Sequence, residues 1–327
     1  MKKIAVIIPY FGKMPRYIDL WMESAKSNLD IDFLIFTDIK EMAQFAVNPN
    51  IKVYTESFEN FVRRFQNNFE FEISIQKPYK LCDFRPAYGL VLKDFLQNYD
   101  FWGFGDMDLV WGNLSKYVTS ELLEKYDRIF DLGHLSLFKN TVKMNTLFLK
   151  KIDNPKYLSY KYVFEHDFNF YFDETGSSKY GYGQASVAKD LPNILLYDKR
   201  ICANISPDRY NFELLDTDKK VDYFEYNNGR VFGRIRNLKE KIEFPYVHFS
   251  RRFLKIDDDL NIKKYFIGPD IITSDEQKII SVLNDNAARY QFYKKMIKRH
   301  FNQKVSQVRK GAIGYHFNVR KGKINIY

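Results

Sequence analysis

Lys3-Ile4-Ala5-Val6-Ile7-Ile8-Pro9 is of strand length and, after its lysine, an unbroken apolar run, and Pro9-Tyr10-Phe11-Gly12 ends it. Strands that are apolar throughout, without alternation, belong to sheets buried on both faces, which are parallel sheets covered by helices. The residues that follow agree. Pro15 can open a helix at its first position, and Ile18, Trp21, Met22, Ala25 and Leu29 recur at helical spacing along one face. Asp32–Asp38 (Asp-Phe-Leu-Ile-Phe-Thr-Asp) reads as a second strand and Ile51–Thr55 as a third. Strand, helix, strand in succession predicts a right-handed crossover and an α/β fold. It is Rossmann-like: a mainly parallel twisted sheet flanked by helices. Ligands in such sheets bind beyond the carboxyl ends of the strands. Here those ends carry Tyr10, Thr37-Asp38 and the pair Asp106/Asp108.

The last pair stands in Phe101-Trp-Gly-Phe-Gly105-Asp106-Met-Asp108-Leu-Val-Trp111-Gly112, an apolar strand broken by two carboxylates one residue apart. At i and i+2 on extended backbone they can point the same way. Together they form a hard oxygen site suited to Mg²⁺ or Mn²⁺, whose shell phosphate oxygens would complete. Carboxylates in an apolar segment are costly unless compensated, and a cation would compensate them. The same spacing at Asp30/Asp32, Asp216/Asp218 and Asp257/Asp259 lies in polar surroundings and reads as solvated surface charge. No Gly-x-Gly-x-x-Gly follows the first strand and no Gly-Lys-[Ser/Thr] loop occurs, which argues against dinucleotide dehydrogenases and P-loop enzymes.

Pro86–Asn98 predicts a helix with Tyr88, Val91, Leu92 and Phe95 on one face. Lys80, Asp83 and Arg85 cluster at its entrance, where a helix N-terminus already favours anions. Further on, Asn113–Lys125 reads as helical and Asp127–Phe138 contains a strand. Val221–Ile235 predicts a β-hairpin turning at Asn227-Asn228-Gly229. A short strand brings His248, followed by Arg251 and Arg252. Ser274-Asp-Glu-Gln277 reads as a capping box for a long helix ending near His300. His134 and His166 read as structural.

Charge divides the chain. From Arg289 to Tyr327 there are 11 Lys/Arg and no Asp or Glu, while the rest carries 40 basic and 41 acidic residues. Residues 1–252 therefore read as one domain and 253–327 as a helical, basic C-terminal extension. Lys294, Lys295, Lys298 and Arg299 beside Phe292, Met296, Ile297 and Phe301 suit a helix lying on an anionic bilayer. The composition, 45% hydrophobic and 28% charged, is that of an ordinary soluble globular protein. No apolar run reaches the roughly 18 residues of a spanning helix. The first apolar segment is too short for a signal peptide. Two cysteines, Cys82 and Cys202, give neither a disulfide framework nor zinc spacing, and a cytoplasmic location, peripheral at the inner membrane face, is expected.

Lys77-Pro-Tyr-Lys-Leu-Cys-Asp-Phe-Arg-Pro-Ala-Tyr-Gly89, followed by Tyr99-Asp-Phe-Trp-Gly-Phe-Gly-Asp-Met-Asp108 and Trp111-Gly-Asn-Leu114, resembles bacterial GT-A-fold glycosyltransferases of capsule and lipopolysaccharide synthesis. The resemblance is tight over 77–114, looser from the first strand to about residue 252, and absent from the tail. It implies a metal-dependent transferase, a hexosyltransferase using a nucleotide-sugar such as a UDP-sugar, with a glycan or lipid-linked acceptor. It implies that Asp106 and Asp108 bind Mn²⁺ or Mg²⁺, with Asp106 also meeting the donor diphosphate, and that His248 supplies a third metal ligand. Tyr10 and Asp38 match positions that hold base and ribose. Lys80, Asp83 and Arg85 resemble donor contacts, and Arg251 is expected to join them. Phe172-Asp173-Glu174 resembles the acidic segment near the acceptor; in an inverting enzyme Asp173, with Glu174 in reserve, is the expected base, whereas a retaining one requires none, and the sequence does not separate the two. Gly105 departs from the pattern, because many relatives carry a side chain there. Two other classes fit parts of the sequence. A metal-dependent sugar nucleotidyltransferase would use the same carboxylates, and a non-catalytic nucleic-acid-binding protein would use the basic tail but leave Asp106/Asp108 unexplained. No nucleic-acid partner is expected.

Overall fold

The computed structural model describes residues 2–177, 181–215, 217–236, 238–250, 252–309, 315–318 and 323–326. The N-terminal half is a mixed α/β layer. β1 (Ile4–Pro9), β2 (Ile31–Thr37) and β3 (Ile51–Thr55) lie parallel; α1 (Ile18–Lys26) connects the first two, a 3₁₀ segment (Lys40–Val47) the second two, and α2 (Phe58–Gln66) follows β3. The chain then returns to the other side of β1, where β4 (Phe101–Gly105) pairs with it in parallel. After β5 (Leu109–Trp111) and α6 (Ser120–Lys125), β6 (Arg128–Leu132) and β7 (Leu135–Lys139) form an antiparallel pair. With β10 (Leu196–Tyr197) they complete a seven-stranded sheet of order β10-β6-β7-β4-β1-β2-β3.

The period of two along each strand decides the layers. In β1, Ala5 and Ile7 join one core with Phe36, Trp102 and Phe104, while Ile4, Val6 and Ile8 join the other with Phe33, Ile35 and Trp21. Both sheet faces are therefore covered, as an all-apolar first strand predicts.

Between β3 and β4 the chain does not form the single helix expected over Pro86–Asn98. It makes α3 (Leu81–Phe84), α4 (Tyr88–Val91) and α5 (Lys93–Leu96), with a 3₁₀ turn at Arg85–Ala87. Pro86 lacks the donor for a continuous ladder, and Leu92 leaves helical geometry at φ −104°, ψ 21°. The expected strand within Asp127–Phe138 is the β6/β7 pair, turning at Gly133-His134. Helices α7 (Val142–Asn145), α8 (Tyr160–Glu165) and α9 (Gln184–Asp190) follow, with the small pair β8 (Gly176–Ser177) and β9 (Gly181–Tyr182) before α9.

The C-terminal part builds a second sheet. The predicted hairpin is β12 (Tyr223–Asn227) and β13 (Arg230–Arg234), turning through Asn228 (φ 44°) and Gly229 (φ 83°). Two consecutive left-handed residues are what a tight hairpin requires. β14 (Lys241–Phe244), β16 (Lys255–Ile256), β17 (Lys264–Ile267) and β18 (Ile271–Thr273) extend it to six strands. A third, three-stranded sheet joins β11 (Ala203–Asn204), β15 (Tyr246–His248) and β5. The helix expected from Ser274 is two, α10 (Glu276–Asn284) and α11 (Asn286–Arg309), separated at extended Asp285. Its cap is Asp275, which accepts from Gln277 N; the Ser274 hydroxyl accepts from Asn261 N instead.

Candidate active site

β4 ends at Gly105 and β5 begins at Leu109, so Asp106-Met107-Asp108 is the turn between them. It lies beside the end of β1, at the point where the strand order reverses, the usual ligand crevice of such sheets. Trp21 Nε1 donates to the Asp106 carbonyl at 2.9 Å and fixes the turn. β5 pairs antiparallel with β15, setting His248 opposite Leu109, and Phe249 N donates to the Asp108 carbonyl at 2.9 Å. This register brings His248 Nε2 to 3.2 Å from Asp108 Oδ1 and 3.8 Å from Asp106 Oδ2. One donor atom from each of the three residues lies within 4.8 Å of the others. On its far side, His248 Nδ1 sits 3.0 Å from Asn204 Oδ1. An Nδ1 proton on that oxygen leaves Nε2 as the ligand atom. Two carboxylates and an imidazole nitrogen facing one another call for positive charge between them. Without a cation, His248 provides it: burial works against its protonation, but Asp108 and Asp106 outweigh burial and raise its pKa. The mixed oxygen and nitrogen donor set fits Mn²⁺ and tolerates Mg²⁺.

A second acidic group faces the first. Asp173 is buried, and its Oδ2 accepts from Arg85 Nη1 at 2.9 Å. Glu174 Oε1 accepts from Gly133 N at 2.8 Å. Arg85 also donates Nη1 to the Gly133 carbonyl at 2.9 Å and Nη2 to Asp106, so one guanidinium spans both acidic groups. The approach leaves no room beside Gly133: a Cβ there would stand 2.6 Å from Glu174 Oε1 and 3.0 Å from Asp173 Oδ2. Burial pushes the Asp173 carboxyl up to about 7, against the pull of Arg85. Burial raises Glu174 as well. Arg85 stays charged, because Asp106 and Asp173 overcome the cost of its burial. A carboxyl poised near neutrality is suited to proton transfer.

These groups line one cavity of about 800 Å³, large enough for a drug-sized or nucleotide-sized ligand. Tyr10 is in its wall, and burial and then Asp108 raise its hydroxyl pKa. Asp38 is exposed at the end of β2, where Oδ1 accepts from Gly12 N at 2.7 Å; it supports the loop after β1 and is not part of the wall. Lys80 and Asp83 are not brought into the cavity either. Both are buried and paired at 2.9 Å. Lys80 Nζ donates to the carbonyls of Val163 and Phe168, and the Asp83 carboxylate accepts from Phe170 N and Phe172 N, each at 2.9 Å. The pair is a clamp on the segment that ends at Asp173, and direct donor contact does not fit its position. Arg251 lies outside the described residues.

Several wall residues carried no sequence signal strong enough to select them. His134 stacks on His248 with ring centroids 4.4 Å apart, and its Nδ1 lies 2.8 Å from the Tyr246 hydroxyl. Burial, then the charge of His248, holds its pKa well below the ordinary value. Its Nε2 is buried at the cavity with no partner among the described residues. The adjoining Gly133-His134 turn was the available hint. Asn204, Arg16 and Arg299 reach the wall from distant parts of the chain, which no local spacing discloses. Among the described residues, no helix is long and apolar enough to cross a membrane.

The model of one family, described as a family of unknown function (DUF6625), matches residues 6–276. No curated protein matches the chain. Two of the similar solved structures are of the glycosyltransferase GlyE in Streptococcus pneumoniae TIGR4. The apo form shares 14% identity over 45% of this chain and 36% of that one, at a TM-score of 0.26. The other shares 12% over 50% and 42%, at 0.27. The mannosyltransferase Ktr4p from S. cerevisiae shares 11% over 40% and 39%, at 0.24. The matches span only about two fifths of those chains, and likenesses this slight carry no argument.

Proposed function

We infer that this chain, which belongs to that family of unknown function, is a metal-dependent glycosyltransferase of GT-A type. It moves a hexose from a nucleotide-sugar, a UDP-sugar in the first instance, to a glycan or lipid-linked acceptor of bacterial surface polysaccharide. The observation that carries this reading is the convergence of Asp106, Asp108 and His248, from a strand turn and a distant strand, inside a cavity at the reversal of the sheet. It also stands on the resemblance over Lys77–Leu114, which the three comparison structures neither strengthen nor weaken.

Asp106, Asp108 and His248 would hold Mn²⁺ or Mg²⁺, which supplies Lewis-acid stabilisation of the leaving diphosphate. Tyr10 offers a ring and a hydroxyl to the nucleoside. Arg85 keeps Asp106 and Asp173 in register across the cavity. Asp173, raised towards neutrality and held by Arg85 and its clamped segment, takes the acceptor hydroxyl proton in an inverting transfer. Glu174, fixed on Gly133 N, faces the same space. A panel of nucleotide-sugars, assayed for nucleoside diphosphate release with and without Mn²⁺, tests the reading. Metal-dependent release by the wild type and none by Asp108→Ala is expected; pyrophosphate release from a nucleoside triphosphate would favour the nucleotidyltransferase instead.

The outward face of α11 exposes Tyr290, Ile297 and Phe301 beside Lys294 and Lys298, a pattern that suits an anionic bilayer surface. Cosedimentation with phosphatidylserine vesicles, reduced by salt, is the expected result. A chain that stays in the supernatant at low salt removes this partner.

A further inference from the structure

The cavity wall contains two arginines that the transferase reading leaves without a role, and they come from opposite ends of the chain. Arg16 follows β1, and Arg299 lies on α11, beyond the residues that the family model matches. Neither forms an ion pair with a carboxylate among the described residues. Arg85, by contrast, is fully engaged by Asp106 and Asp173.

Arg16 and α11 belong to one continuous piece of packing. The Arg16 guanidinium lies over the Phe253 ring, 3.4 Å from its centroid. The neighbouring Tyr17 hydroxyl accepts from Leu254 N at 2.7 Å. Arg252 is buried, donates to the Tyr210 carbonyl at 2.7 Å, and sits 5.1 Å from the Phe292 ring centroid on α11. Phe292 packs edge-on to Tyr210 at 5.6 Å. One helical turn from Met296, His300 Nε2 meets Asp208 Oδ1 at 3.3 Å, beside the cavity-lining Pro207. These contacts dock the inner face of α11 against the cavity and turn Arg299 into its wall.

Arg299 Nε is buried and has no hydrogen-bond partner among the described residues. A desolvated guanidinium N–H without an acceptor is costly, and native proteins rarely leave one so. An oxyanion arriving through the cavity would satisfy it. Guanidinium groups suit phosphate because their planar fork matches two oxygens at once. Arg16, stacked and exposed at the rim, would close on the same group with little loss of side-chain freedom, because the Phe253 ring already restrains it.

We propose that Arg16 and Arg299 form an anion subsite that binds a phosphoryl group of a substrate, and that α11 is a working wall of the active site. The subsite deepens the transferase reading, but it binds without the metal, so each can fail alone. The phosphoryl group belongs either to the donor diphosphate or to a phosphorylated acceptor, and the chemistry at the two arginines is the same.

The test is calorimetric titration of the full chain with inorganic pyrophosphate in excess EDTA. Saturable binding is expected for the wild type. Arg299→Ala and Arg16→Ala should each weaken it about tenfold or more, with Arg299→Lys in between. Lys294→Ala, a charge removed from the outward face of the same helix, should leave it unchanged, and thermal melts report whether each variant folds. A second titration in saturating UDP and Mn²⁺ assigns the source: pyrophosphate displaced marks the donor diphosphate, and pyrophosphate still bound marks the acceptor. Absence of chelator-resistant binding in the wild type overturns the subsite. So does equal binding by a folded Arg299→Ala chain, or an equal loss in Lys294→Ala.

Discussion

Asp173 and Glu174 are adjacent acids held by different means, and the difference has consequences with pH. Asp173 is buried against a guanidinium, whereas Glu174 rests on a backbone N–H. In an unfolded chain Asp173 loses its proton near 3.9, but in the fold burial raises it to about 7. Between about pH 4 and 7 the folded chain therefore keeps a proton that the unfolded chain has lost. By linkage, this group's contribution to stability falls as pH rises through that window. The fraction able to accept a proton rises over the upper part of the same window. Transferase activity should climb with an acid limb near pH 7. Melting profiles should show Asp173→Asn gaining on the wild type from pH 5 to pH 8. An acid limb near 4, with parallel melting profiles, would mean that Asp173 titrates as a solvated carboxyl.

Elements show why some features could be read from the sequence and others could not. β1 and β2 were legible because each is a mainly apolar run of strand length, β3 because its β-branched residues alternate with a lysine and a tyrosine, and the Asn228-Gly229 hairpin because its turn chemistry is local. The stretch from Pro86 to Asn98 was legible as helical but not as broken, since its interruption at Leu92 depends on the packing around that buried side chain. Asp106, Asp108 and His248 were legible as residue types, but their meeting rests on the pairing of β5 with β15, across more than 130 residues of sequence. Lys80 and Asp83 show the reverse failure. Spacing put them at a helix entrance, but it does not encode whether a lysine turns to solvent or inward, and they turn inward as a clamp. Breaking a buried pair by removing one partner leaves an uncompensated charge and costs about 3–5 kcal/mol. Asp83→Ala should lose that much in urea unfolding, with transferase activity falling as the 163–172 segment is released. A loss under about 1 kcal/mol would show that the clamp does not hold it.

At the scale of the molecule, the seven-stranded and three-stranded sheets and α11 meet at one cavity. The seven-stranded sheet brings the carboxylate turn to the reversal of its strand order. The three-stranded sheet carries His248 onto it, and Arg299 of α11 lines the wall. In the proposed reading a divalent cation held by Asp106, Asp108 and His248 would make this a transferase site, and its binding can be counted without knowing any substrate. Mn²⁺ titration followed by electron paramagnetic resonance should find one tight site per chain, weakening as pH falls and His248 takes up a proton. Asp108→Ala should abolish that site and His248→Ala should weaken it at least tenfold. Mn²⁺ binding that is equal in the wild type and Asp108→Ala would contradict the assignment.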